Sequence, residues 1–366
     1  MLHLMARNRH RGLAAALGWG VLVPVVAAII AVAAAPAAQA AGFPLAIERQ
    51  LPLAAGAQPS ALAIAPDGSA AYLAQGDALT AYATATRAPQ GVLHLPGRIV
   101  ALAIAPAGDR AYAALGGRDG RGAGVAVVSL RPLGLLKTLP LSAAPSDLAL
   151  DPDGASLYVE SAATGRLFAF DAASGRLRAS GAVPGRLRQI AANGYGGVFV
   201  AVADRDLVAV LDAASLRPTG EFPLPDCARP SGLALDPVGR RLFVACADGG
   251  TAVVDTDVGF TFERLTGARA GDARGVYARP TGALGWKGAA FFAGTRATVN
   301  AVRMLAFIHY ADGGALRLPA AATALAFDAA RGELWITLAP AAGDAQAAGS
   351  LLVLGPATAA ATGVHP

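Results

Sequence analysis

Four arginines and two aspartates are the residues best placed to do chemistry in this 366-residue chain. Arg98, Asp147, Arg188, Arg229, Asp272 and Arg274 each stand where the chain enters a short apolar strand, with Ser60, Ser146 and Ser231 at matching places. A guanidinium presents a planar fork of donors that fits a carboxylate or a phosphate. Gathered on one rim, these groups would form a funnel for an anionic small molecule or an acidic partner segment. They also read as ordinary solvated rim charges, some paired with Asp147 or Asp272.

Other chemistries find little support. Beyond residue 40 the histidines are His94, His309 and His365, far apart, with no Cys-x-x-Cys-His or His-Glu-x-x-His run. No metal and no cofactor is therefore expected. No Gly-x-Ser-x-Gly element or Ser-His-Asp set appears. Calcium-assisted lactone hydrolysis would need more carboxylates than Asp147 and Asp272. The glycine-rich stretch Gly116 to Gly124 invites a phosphate-loop reading, but it lacks the Gly-Lys-Ser/Thr ending and opens no helix. It reads as a loop.

The elements that must position these residues are repeats. In the stretch Pro145 to Arg176, two apolar strands flank Asp151-Pro152-Asp153-Gly154, and a third ends in Asp171-Ala172-Ala173-Ser174-Gly175. Degenerate copies begin at Pro66, Pro106, Pro152, Asn193, Pro237, Pro280 and Ala329. Six residues after each stands an aromatic: Tyr72, Tyr112, Tyr158, Phe199, Phe243, Trp286 and Trp335. Proline presets φ and glycine supplies a positive φ, so Pro-x-Gly closes a hairpin. The fourth copy uses Asn193-Gly194 instead. Asp171, Asp212 and Asp255 open a later turn, where a carboxylate caps local amides.

A period of 40 to 49 residues with three or four short strands is the signature of a β-propeller. A four-stranded sheet with two apolar faces cannot bury both alone, and blades packed around an axis bury them all. The fold expected is all-β, a seven-bladed β-propeller closed by an N-terminal strand in the last blade. Ala46 to Leu53 resembles the outer strands and would supply that closure. The sixth copy departs most, either as a functional insertion or as a worn repeat. The expected organisation is a signal peptide over residues 1–40, one propeller over 41–356 and a flexible tail over 357–366.

The run Ser156 to Arg176 resembles the YVTN-repeat family of bacterial propellers, of the YncE-like kind. Leu157-Tyr158-Val159 and Phe170-Asp171 match its pattern, as do Leu242-Phe243-Val244 and Val253-Val254-Asp255. Residues 160–162 lack the usual asparagine. The resemblance implies an architecture over residues 45 to 356. It implies little about function, because the motif residues are structural.

Arg7, Arg9 and Arg11, a long apolar run and Ala38-Gln39-Ala40 make a cleavable leader, with an uncleaved membrane anchor as the alternative. Removing it takes the net charge from +5 to about +2, which disfavours nucleic acid as a partner. Cys227 precedes the first strand of the fifth repeat and Cys246 ends its second, so both fall at one end of that blade. A disulfide is feasible there, with two free thiols as the alternative. The function expected is a periplasmic or secreted, non-catalytic binding or scaffold protein. Its partner would be a protein, peptide or anionic small molecule at the channel mouth. The alternative is a lactonase-like hydrolase or lyase, or an accessory of a quinone-linked dehydrogenase.

Overall fold

The computed structural model describes residues 43–55, 58–117, 123–236, 240–247, 251–259, 261–264, 275–281, 287–296, 299–306, 312–340 and 348–357. The expected leader, nearly all of the expected tail, and the turn Pro237-Val238-Gly239 lie outside the described residues. Every regular element among them is a β-strand.

The protein is a β-propeller. In the third blade, strands a to d are Asp147–Leu150, Ser156–Ser161, Arg166–Asp171 and Leu177–Ala182, paired antiparallel in chain order. The same meander builds the first blade (59–94), the second (98–140), the fourth (187–223) and the fifth (230–264). Burial follows strand position. Strand b of the third blade is buried at every residue after Ser156, whereas strand d alternates between exposed and half-buried. The continuous apolar run of strand b records burial on both sheet faces.

The turns form where their residues allow. Gly68, Gly108 and Gly154 adopt φ of 67°, 69° and 74°, which a side chain would oppose. The fourth copy differs in mechanism. Its left-handed glycine is Gly196, and the Asn193 side chain accepts hydrogen bonds from the amides of Tyr195 and Gly197. In the c–d turns, Asp171, Asp212 and Asp255 accept from the amides of Ser174, Ser215 and Asp257, each at 2.8 Å.

The repeated aromatic is a wedge between blades. Tyr72, Tyr112, Tyr158, Phe199, Phe243 and Trp335 are all buried. Each lies opposite an alanine of strand a (Ala63, Ala103, Ala149, Ala191, Ala234 and Ala326), whose small side chain leaves room for the ring. Tyr112 reaches into the next blade, where its hydroxyl donates to the carbonyl of Ala172 at 2.8 Å. The cores accordingly span blade junctions. Tyr112 and Val127 of the second blade share one with Leu157 and Phe168 of the third. Tyr158 and Leu167 of the third share another with Val198 and Val200 of the fourth.

The expectation of a seven-bladed propeller is corrected on one point of substance: the repeat builds six blades. A further four-stranded set, Gly275–Thr281, Lys287–Arg296, Val299–Ala306 and Asp312–Leu318, stands between the fifth blade and the closing one. It does not follow the repeat. Pro280 and Thr281 are not turn residues but strand residues, paired with Gly288 and Lys287. Ala278 therefore meets Ala290, not an aromatic. Trp286 lies before the second strand and outside the described residues. Phe291 is the buried ring of this sheet, stacked on Phe327 with ring centroids 5.6 Å apart. The sequence offset placed a buried aromatic correctly in the other six copies.

The closing blade joins both ends of the chain. Leu45–Ala55 pairs antiparallel with Ala348–Pro356, which pairs in turn with Glu333–Leu338 and then Ala322–Asp328. Arg87 of the first blade fastens this junction. Its guanidinium lies 2.5 Å from Glu333 and 3.5 Å from Glu48, and stacks 5.4 Å over Trp335. In the fifth blade, Cys227 and Cys246 are joined by a disulfide.

Candidate functional site at the channel mouth

Strand a lines the central channel, and a recurrent irregularity aims side chains into it. Ser60, Val100, Ser231 and Thr323 are each bulged out of the a–b pairing of their blade. A bulge adds an unpaired residue and redirects its side chain. The fourth blade carries the same one-residue bulge between Leu187 and Ile190, with Arg188 and Gln189 facing Ala201 alone. Ser146 sits just before the third blade's strand a.

These residues stitch the channel wall. The hydroxyl oxygens of Ser60, Ser146, Ser231 and Thr323 lie 3.2 to 3.4 Å from the carbonyls of Ala74, Glu160, Ala245 and Thr337. Other bonds cross between blades. Ser60 Oγ donates to the carbonyl of Ile99 at 2.7 Å, Gln189 Oε1 accepts from the amide of Leu233 at 2.7 Å, and Asp147 Oδ2 accepts from the amide of Ile190 at 3.1 Å. Inside this wall lies a cavity of about 220 Å³, lined by the four hydroxyls with Asp147, Arg188 and Gln189. At roughly 30 Å³ per water it holds several waters or a few ligand atoms. It is smaller than the roughly 300–1,000 Å³ of sites that engulf a whole drug-sized molecule. A ligand would enter by one end.

The third and fourth blades meet at the charged part of this mouth. Asp147 and Glu160 are directly opposed in the a–b register, so their carboxyls share a sheet face. That face is turned to the fourth blade, because Asp147 bonds its Ile190 amide. Glu160 is fully buried, at 0% exposure. Its Oε1 accepts from Ser146 Oγ at 3.0 Å, and its Oε2 has no partner. Burial pushes the Glu160 carboxyl up to about 8, with the charge of Asp147 adding to the rise and the Ser146 hydrogen bond and Arg188 opposing it. Burial likewise pushes Asp147 up to about 7, against hydrogen bonds from the Ile190 and Leu148 amides. Arg188 is exposed, and its guanidinium has no hydrogen-bond or ion-pair partner among the described residues. The mouth thus presents Asp147, backed by the buried Glu160 carboxyl, beside the guanidinium of Arg188.

Of the residues expected to bind, Asp147 and Arg188 come together here. Arg98 begins strand a of the second blade, opposite Gly116, exposed and off the cavity wall. Arg229 adopts a positive φ of 49°, and its amide donates to Asp206 Oδ1 at 2.7 Å. Arg186 is held in the same way, its amide donating to Asp204 Oδ1 at 2.6 Å. These b–c carboxylates pin the backbone that enters strand a. Asp272 and Arg274 lie outside the described residues, as do Asp119, Arg121, Asp248 and the centre of the glycine-rich loop. Among the described residues no group of three histidine, cysteine, aspartate or glutamate side chains could hold a metal.

Glu160 is the residue that reading the sequence missed. Its signal was present in the aligned copies. Two residues after the aromatic stand Ala74, Ala114, Ala201, Ala245 and Thr337, and only the third blade has a charge there. Eleven residues before the aromatic stand Ala61, Ala101, Gly232 and Ala324, against Asp147 and Arg188. Three charges thus replace small residues in two adjacent blades. No family model matches the chain, and no curated protein is significantly similar to it.

Proposed function

We propose that this chain is an exported β-propeller of the periplasm or cell exterior that acts as a non-catalytic binding or scaffold protein. It takes the anionic group of a small molecule, or of a peptide or protein segment, at the channel mouth. The observation that carries this reading is Arg188, placed by a bulge on a polar cavity and without a hydrogen-bond or ion-pair partner among the described residues. A guanidinium so placed, beside carboxyls that burial keeps protonated, favours an anion. The leader expected over residues 1–40 and the disulfide of the fifth blade support export. The resemblance of the repeat to YVTN-repeat, YncE-like propellers agrees with a role in binding.

The test is calorimetric titration of the purified protein with small mono- and dicarboxylates and inorganic phosphate. Arg188→Ala should weaken binding about tenfold or more, the value of a charge-assisted hydrogen bond. Arg98→Ala, off the cavity wall, should leave it within about twofold. Equal loss in both variants would show a diffuse rim effect and reject the mouth as the site.

A further inference from the structure

The ligand class follows from how the three charged groups are arranged, given that the mouth binds at all as proposed above. Asp147 and Glu160 face each other across one strand pair, and no cation bonds either carboxyl among the described residues. Two carboxylates this close, one with a buried and unpartnered oxygen, cannot both ionise cheaply. We infer that the junction of the third and fourth blades is a carboxylate clamp: Arg188 takes one oxygen of a ligand carboxylate, while the facing Asp147–Glu160 pair, too crowded to give up both protons cheaply, donates a retained proton to the other through Asp147.

The surroundings leave the pair to act on its own proton. The fourth blade's strand a carries Arg188, the only cation among the described residues that acts on Glu160. Arg186, just before that strand, is exposed and engaged through its amide. The fourth blade's strand b, Gly197–Val202, carries no charge, and Asp204 and Asp206 beyond it accept from backbone amides. On the other flank, Arg98 of the second blade is exposed. Within the third blade, Arg166 stacks over Phe168 and bonds Ser180, and Asp171 pairs with Arg178 at the far end of strand c. Ser146 bonds Glu160 and also accepts from the amide of Ala162, which fixes the buried carboxyl in place. Burial raises Asp147 to about 7 and Glu160 to about 8, so the pair still holds a proton at neutral pH and loses it above about pH 8.

Binding of an anion beside the pair raises its proton affinity, so the ligand and the proton bind together. Calorimetry with succinate and with acetate in buffers of different ionisation enthalpy reads this directly. At about pH 8.5, succinate should bind with uptake of close to one proton, and its affinity should fall about tenfold per pH unit above about pH 8. Asp147→Asn, whose amide donates at every pH, should abolish both the proton uptake and the pH dependence. Glu160→Gln, which leaves only the Asp147 proton, should move the onset of the pH dependence down from about pH 8 toward about pH 7. Both variants are near-isosteric, and their melting temperatures show whether they fold. Binding that needs Arg188 but takes up no proton overturns the clamp and leaves the mouth as an anion site. Failure of every carboxylate to bind overturns the clamp and the binding reading together.

Discussion

Glu160 shows how one residue can set the behaviour of a site. Its carboxyl has a single hydrogen-bond donor, Ser146, and one oxygen with none. In the unfolded chain that group ionises near pH 4 to 5. In the folded protein burial raises it to about 8 and raises Asp147 to about 7. The folded state therefore binds more protons than the unfolded state between these limits. The stability this contributes is full below about pH 4 and is lost as pH rises through about 7 to 8. The protein should melt at a higher temperature at pH 6 than at pH 9. Glu160→Gln should flatten that difference, as a pH series of thermal melts can show. A wild-type melting temperature higher at pH 9 would mean the pair is ionised in the fold.

At the scale of elements, the fifth blade has a brace the others lack. Cys227 lies in the loop before strand a and Cys246 ends strand b, 19 residues further on. Both are buried among Leu224, Leu233 and Val244. Closing a loop of this length restricts the unfolded chain and contributes about 3 kcal/mol on the loop-entropy model. The Cys227→Ser, Cys246→Ser double variant should show a lower midpoint in urea with this loss, and adding reductant to the wild type should reproduce it. The brace stands next to the stretch where the repeat lapses. Between the fifth blade and the closing one, the Gly275–Leu318 sheet takes Pro280 and Thr281 into a strand and carries its buried ring at Phe291, away from the repeat's offset.

At the scale of the molecule, the ring depends on one junction joining residues far apart in sequence. Leu45–Ala55 completes the closing blade, and Arg87 of the first blade reaches Glu48, Glu333 and Trp335 across the seam. The side chains of Arg87 and Glu333 are only 12% and 8% exposed. Removing one partner of such a pair leaves the other charge buried, at a cost of about 3–5 kcal/mol. Arg87→Ala should lower stability by about that much, whereas Arg131→Ala should cost at most about 1 kcal/mol, because its pair with Asp67 is exposed. Urea denaturation of the two variants side by side makes the comparison.

The sequence by itself determined what short-range physics fixes. Hairpins formed where proline, glycine and aspartate allow turns, as at Gly68, Gly108 and Gly154. The aromatics six residues on became wedges in six blades, because each turn, including the shorter one of the fourth blade, returns that position opposite an alanine of strand a. Counting by offset failed in the Gly275–Leu318 sheet, where a longer hairpin shifts the register and no local signal marks the shift. What only the tertiary structure decided is the site. Asp147 and Arg188 were visible as charges, but nothing local told them apart from Arg98 and Arg229. That distinction came from the bulge that brings Arg188 to the cavity and from the packing of the third blade on the fourth. Glu160 sat unnoticed inside an apolar strand, since its meaning lies across the sheet from it. A carboxyl acquires its chemistry from the dielectric and the partners around it, and those exist only once the blades have closed into a ring.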